Sequence, residues 1–526
     1  MKSPVISPYR LRWLPLLATL VGLAQAAAPT PPNILYILAD DMGVGEISAL
    51  FPSRNKIRTP HLDRLAAEGM VFAEAHSGSA VCTPTRYGIL TGRYAWRTHL
   101  QAGVLWGLSA PLIAPNRTTV AGLLRSRGYH TAAIGKWHLG LGWAGGPSDV
   151  IDIDDIKLDY SRRVAHGPVD LGFDYFFGIS ASLDMAPYVW IENDRVVAPA
   201  SVRQTSWFRH GLAATDFRAV DVLDEMTRRS VAYIERRGPI MRPADKPFFL
   251  YLALTSPHTP IVPAAAWKGR SGHGEYGDFV VQTDAIVGDL LSALERAGIA
   301  SNTLVVFTSD NGCSATPAKA KELEAKGHFP SGPYRGYKSD LFEGGHHVPF
   351  IVRWPARVGA GSHSDRLVCL TDLMATCADL TGAPLPAGAG EDSVSFLPTL
   401  SGTAQPARTP IVHHSISGHF ALRDGPWKLL LARGSGGWTS PTEVQALKEG
   451  LPPVQLYHLG NDSGERTNLA AKNPAVVARL SVTLAQLVAL GRSTPGATAA
   501  NDMPVDLWKS SDDTAIPPPP AAATAR

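Results

Sequence analysis

Asn33-Ile34-Leu35-Tyr36-Ile37-Leu38-Ala39-Asp40-Asp41 is an apolar run that ends in two acids. A short apolar stretch without polar alternation reads as a strand buried on both faces. The same texture returns at 129–138, 247–255, 302–309 and 348–354. Helical patterns lie between these runs. Thr59-Pro60 predicts an N-cap followed by proline at the first helical position, and Gly69 a stop. Segment 118–127 is a second helix stopped by Gly128, and 276–297 is amphipathic. Apolar strands alternating with helices predict an α/β fold with a mostly parallel sheet flanked by helices.

Ligands of such sheets gather outside the carboxyl ends of the strands. Asp40-Asp41 closes the first strand, and Asp310-Asn311 closes the strand ending at Ser309. Three carboxylates and an amide make an oxygen-only donor set, which suits calcium or magnesium. Lys136 and His138 end another strand and share a face, because residues two apart do so. His258 follows the strand at 247–255, and Lys338 precedes Gly344-Gly345-His346-His347-Val348-Pro349. Each has a plainer role available in isolation: a turn-forming Asp or Asn, a solvated lysine, a satisfied histidine. Their order along the chain is what gives them weight together.

Val81-Cys82-Thr83-Pro84-Thr85-Arg86 leads into Leu90-Thr91-Gly92-Arg93. A helix from Thr85 through Leu90 would let Arg86 point back at Cys82, four positions away. Its N-terminus would favour an anion. The plainer reading is a buried structural cysteine. As a set, this motif and the strand-end residues resemble the type I sulfatases over 33–355. Leu422-Arg423-Asp424-Gly425-Pro426-Trp427-Lys428 and segment 456–469 resemble the C-terminal domain of that family.

The resemblance implies an alkaline-phosphatase-like α/β fold with a smaller C-terminal domain of antiparallel sheet plus helix. It implies Asp40, Asp41, Asp310 and Asn311 as calcium (Ca2+) ligands. It implies Cys82 converted to formylglycine by a formylglycine-generating enzyme, with the hydrated aldehyde as nucleophile. Arg86 would hold the diol, while Lys136, His258 and Lys338 contact sulfate. His258 would then protonate the leaving group, and His138 would deprotonate the remaining hydroxyl so that the aldehyde re-forms and sulfate departs. Thr85 stands where the commonest motif has serine, which keeps the hydroxyl.

The 526 residues leave room for several parts. Lys2, Arg10 and Arg12 precede an apolar stretch at 14–21 and then Ala24-Gln25-Ala26, which predicts a signal peptide over 1–26. That stretch is too short to span a bilayer, so the expectation is a periplasmic or secreted protein with no stable membrane anchor. A catalytic domain is expected over 27–400 and an α+β subdomain over 401–492. Within the latter, 419–423 and 427–431 read as strands, and 474–490 as a helix capped by Asn473. From 493 to 526 the chain is rich in Ala, Pro and Asp and predicts a disordered tail. A net charge of +3 without a basic run argues against nucleic acid as a partner. Cys369 and Cys377, eight apart in a helix expected over 367–380, stand ~12 Å apart along it, too far for a disulfide. The cysteines are therefore expected to be free and buried.

Export points to an external sulfate ester as the substrate, a sulfated carbohydrate, with aryl sulfates as surrogates. Segments 171–188 and 344–355 resemble bacterial sulfatases acting on galactose-type sugars, pointing to O6. Segments 94–106 and 166–188 and the pair His346-His347 are the expected substrate loops, and His166, Asp184 and His347 are the residues expected to bond sugar hydroxyls. Two alternatives stay open: a phosphonate monoester or phosphodiester hydrolase, and a non-catalytic sulfated-glycan binder whose cysteine is never converted.

Overall fold

The computed structural model describes residues 1, 3–5, 31–147, 158–204, 209–238, 246–403, 405, 406, 408 and 410–509. The expected signal peptide therefore lies almost wholly outside the described residues, as does 510–526. The chain divides into two compact units, Met1–Pro31 and Pro32–Arg526. Both sheets discussed below belong to the second.

Among the described residues, ten strands form the main sheet. Its centre is four parallel strands: β1 (Asn33–Ala39), β2 (His130–Lys136), β3 (Phe248–Ala253) and β4 (Thr303–Ser309), in the spatial order β4-β1-β3-β2. Every residue of β1 after Asn33 is buried, as the unbroken apolar run requires. Helices Pro60–Glu68, Val222–Glu235 and Gly274–Arg296 pack together as one group. Cys82–Thr91, here α1, packs with Val120–Ser126 and Leu373–Thr381 as another. Tyr175–Ile179 extends the parallel sheet beyond β2, whereas Phe350–Arg353 lies antiparallel beside β4.

A second sheet runs antiparallel through Ile411–His414, Phe420–Asp424, Trp427–Leu430 and Gln455–His458, and Pro474–Ala489 packs against it. Its core of Leu422, Leu429, Leu456, Leu480 and Leu484 also includes Tyr94 and Trp96, which lie just after α1. The two sheets thus share apolar contacts within one compact unit.

Several local expectations are corrected. α1 begins at Cys82 itself, three residues before Thr85, because proline is tolerated in a first turn. Neither Thr59 nor Asn473 caps its helix through the side chain; Asn473 Nδ2 instead donates to Leu469 O at 3.1 Å. Val368–Cys369 is a short strand, and the helix starts only at Leu373. All four cysteines are free and buried. Part of the segment expected to be a tail is tied to the residues that follow α1. Arg93 Nη2 donates to Asp502 Oδ1 at 2.9 Å, and Arg97 Nη1 to Asn501 Oδ1 at 3.0 Å. Both guanidiniums are buried and need such partners, which composition alone does not reveal. No described helix is long and apolar enough to cross a membrane.

Candidate active site

Strand register sets four strand ends at one level. Ala39 pairs with Ser309, Leu38 with Ala253, and Ala253 with Gly135. The next residues share that rim: Asp40 and Asp41 after β1, Lys136 and His138 at the end of β2, His258 beyond β3, Asp310 and Asn311 after β4. Asp41 and His138 turn the chain with left-handed φ values of 64° and 59°. Such a backbone costs a non-glycine residue about 1–2 kcal/mol.

α1 aims its N-terminus at the rim. Cys82 is its first residue, and the Sγ–H donates to Asp40 Oδ1 at 3.7 Å. One turn on, Arg86 donates to Asp310 Oδ2 through Nε at 3.1 Å and Nη2 at 2.7 Å, and to Lys136 O through Nη1 at 3.2 Å. Lys136 Nζ donates to both oxygens of Asp40, at 3.0 and 2.7 Å, and to Ser182 Oγ at 3.3 Å. Lys338 Nζ lies 2.7 Å from Asp41 Oδ1. His258 Nε2 stands 3.6 Å from Asp41 Oδ2, and its Nδ1 2.6 Å from Thr259 O.

Three buried carboxylates thus face three buried cations. This matters because an unpaired charge in the interior is strongly destabilising. Burial alone would raise Asp40, but Lys136, His258 and Arg86 hold it well below the usual carboxylate range. Burial and the neighbouring Asp40 charge push Asp310 up. Burial pushes the Cys82 thiol up to about 12, so the unmodified side chain is no thiolate nucleophile at neutral pH. Burial, with Lys136 and Arg86 beside it, holds His138 well below the ordinary histidine value. Its ring therefore stays neutral. Nε2 lies 2.8 Å from Leu105 O and must carry the proton there, which leaves Nδ1 as a bare acceptor with no partner.

The donor set fits a divalent cation. Asp40, Asp41, Cys82 and His258 offer ligand atoms within 4.8 Å of one another. Asn311 Nδ2 donates to Asp41 Oδ1 at 2.7 Å, while Asn311 Oδ1 is buried without a hydrogen-bond partner. A buried acceptor left over among three carboxylates suits a hard cation.

A cavity of about 890 Å3 opens over these groups, and Cys82, His138, His258 and Lys338 are in its lining. Of the three expected substrate residues, the structure brings only Asp184 there. Asp184 is ion-paired with Arg209, whose guanidinium lies 4.8 Å from the Trp106 ring centroid. His166 is exposed and outside the lining. His347 is corrected outright: it is buried, with Nδ1 3.0 Å from Glu343 Oε2 and Nε2 2.9 Å from Ala73 O. A short helical turn, Glu343–His346, swings it away from the cavity. Trp106 and Ser182 fall inside the segments 94–106 and 166–188 expected to be substrate loops, although neither was singled out there. Sequence reasoning missed Arg209, which lies in no recognisable motif.

A family model described as Sulfatase matches residues 32–383, which include every rim residue above. This chain belongs to the sulfatase family. It is 33% identical over 492 residues to an N-acetylgalactosamine-6-O-sulfatase of Bacteroides thetaiotaomicron, covering 86% of this chain and 92% of that one. It is 32% identical over 515 residues to human arylsulfatase A, covering 93% and 94%. A solved Bacteroides thetaiotaomicron structure, described under the metabolism of multiple glycosaminoglycans, superposes with a TM-score of 0.76 at 32% identity, over 87% of this chain and 99% of that one. The sulfatase is accordingly a sulfuric ester hydrolase on an alkaline-phosphatase-like fold.

Proposed function

We propose that this sulfatase is exported and releases sulfate from sulfated carbohydrate, of the galactose type esterified at O6. The observation that carries the chemistry is Cys82 at the start of α1, 3.7 Å from Asp40 Oδ1 in a ring of buried cations. The substrate class is supported by the relative named N-acetylgalactosamine-6-O-sulfatase. Export is supported by the charged, apolar and small-residue pattern over 1–26.

In this proposal a maturation enzyme oxidises Cys82 to formylglycine, supplying a hydrated aldehyde with one hydroxyl to attack sulfur and a second to expel sulfate. A divalent cation, calcium, held by Asp40, Asp41, Asp310 and Asn311, would supply positive charge opposite the sulfate oxygens. Arg86, one helical turn from position 82, orients that side chain. Lys136 and Lys338 face the equatorial oxygens and stabilise charge that grows on them. His258 donates a proton from Nε2 to the leaving oxygen, and Thr259 O fixes its ring through Nδ1. His138, kept neutral, accepts a proton at Nδ1. A sulfate-release screen over defined sulfated sugars tests the reading. Release from 6-sulfated galactose-type sugars is expected, and its absence alongside turnover of other sulfated sugars would refute the assignment.

A further inference from the structure

The exposed rim of the cavity carries one feature that sulfate chemistry does not use. Trp438 is 59% exposed, and among the described residues it is the one large aromatic side chain so exposed. It nonetheless lines the same cavity as Cys82 and Lys338. An aromatic left in water forgoes roughly 2–3 kcal/mol of burial, so its placement calls for a partner.

The backbone beneath Trp438 is fixed to the turn that carries Lys338. Trp438 N donates to Ser339 Oγ at 2.9 Å, and Thr439 N to Asp340 Oδ1 at 3.1 Å. Gly437 lies so close that an added Cβ would stand 2.4 Å from Ser339 O. Glu443 accepts from the N–H groups of Arg433, Gly434 and Gly436 at 2.9, 2.8 and 3.0 Å, which holds the preceding loop. The ring is therefore presented from a pinned loop rather than from a free surface strand.

The volume points the same way. About 890 Å3 lies near the upper end of the roughly 300–1,000 Å3 that holds drug-sized ligands, so one sulfated sugar ring leaves much of it unfilled. Pyranose rings present an apolar C–H face, and an indole offers a broad, rigid apolar surface with little entropy to lose.

We propose that Trp438 is a specificity-determining residue: it stacks on the sugar ring adjoining the sulfated one and makes this enzyme prefer sulfated oligosaccharides to the sulfated monosaccharide. The inference rests on the carbohydrate reading above. Its test compares kcat/KM for an aryl sulfate, a 6-sulfated N-acetylgalactosamine monosaccharide and a tetrasaccharide carrying the same sulfated sugar. Trp438→Ala should lose about tenfold on the tetrasaccharide, a 1.4 kcal/mol contact, chiefly through KM. The monosaccharide and the aryl sulfate should change less than about twofold. Trp438→Phe should recover most of the loss. Equal losses on all three substrates, or no loss on the tetrasaccharide, would overturn the stacking role. A wild-type enzyme that turns over the aryl sulfate but neither sugar would instead sink the carbohydrate reading, and this inference with it.

Discussion

Arg86 Nη2 donates to Asp310 Oδ2 at 2.7 Å across 224 positions of sequence, joining the second turn of α1 to the end of β4. Both side chains are fully buried, and Nη2 also stands 3.4 Å from Asp40 Oδ1. The same guanidinium therefore fixes the helix that presents position 82 and neutralises two of the carboxylates beneath it.

Arg86→Lys keeps the charge but loses the fork that reaches Asp310 and Lys136 O together. Turnover should fall by about 10²–10³. The protein should still fold, since a cation remains beside the carboxylates. Arg86→Ala should also destabilise by about 3–5 kcal/mol, because it leaves buried charge unpaired. Steady-state kinetics and calorimetry separate the two effects. An Arg86→Lys enzyme with near-wild-type kcat/KM would remove Arg86 from the chemistry.

His258 Nε2, held near Asp41 by the bond at Nδ1, is assigned the leaving-group proton. His258→Ala should cost a sugar sulfate about 10²–10⁴ in rate. An aryl sulfate with an acidic phenol needs no proton and should lose far less. A Brønsted plot across leaving groups checks this. A uniform loss across the series would mean that His258 acts on the sulfate alone.

The rim was legible because continuous apolar strands stop abruptly at polar residues, as at Ala39-Asp40 and Ser309-Asp310. Parallel register then brings those stops to one level. What surrounds the rim was not legible. His346-His347 looks like a loop pair, yet both rings are buried: His346 stacks on His413 at 3.7 Å, and His347 on Tyr334 at 4.1 Å. Nothing local distinguishes an inward from an outward histidine in Gly344-Gly345-His346-His347. Segment 493–509 has the composition of a tail, but its partners Arg93 and Arg97 lie about 400 positions earlier. Trp106, Arg209 and Trp438 meet one cavity from three distant loops, and no spacing rule relates them.

The buried histidines make stability depend on pH. His76 Nδ1 and His346 Nδ1 are 3.2 Å apart, and His413 lies against both rings. Around them stand Glu343, Glu74, Glu465, His347, Lys428 and Arg423. Burial lowers His76 to about 4 and holds His346 and His413 well below the ordinary value. Below about 6.5 the unfolded chain takes up protons that the folded chain refuses, so stability falls as pH falls. Burial raises Glu465 to about 7, which acts in the opposite sense between about 7 and 4.3 and offsets one of the three. Within this cluster the three histidines outnumber the one opposing carboxyl, so its net contribution to stability falls as pH falls below about 6.5. Tm should drop from pH 7 to 5, and His413→Gln should flatten the curve. An unchanged slope in that variant would show that the trio does not control it.

The nucleophile is tested by the mass of the tryptic peptide carrying position 82, measured on enzyme purified from a host with a formylglycine-generating enzyme. Active preparations should carry the aldehyde at Cys82, in a fraction that tracks kcat, and Cys82→Ala should be inert. Full turnover by protein whose Cys82 remains entirely a thiol would contradict the mechanism.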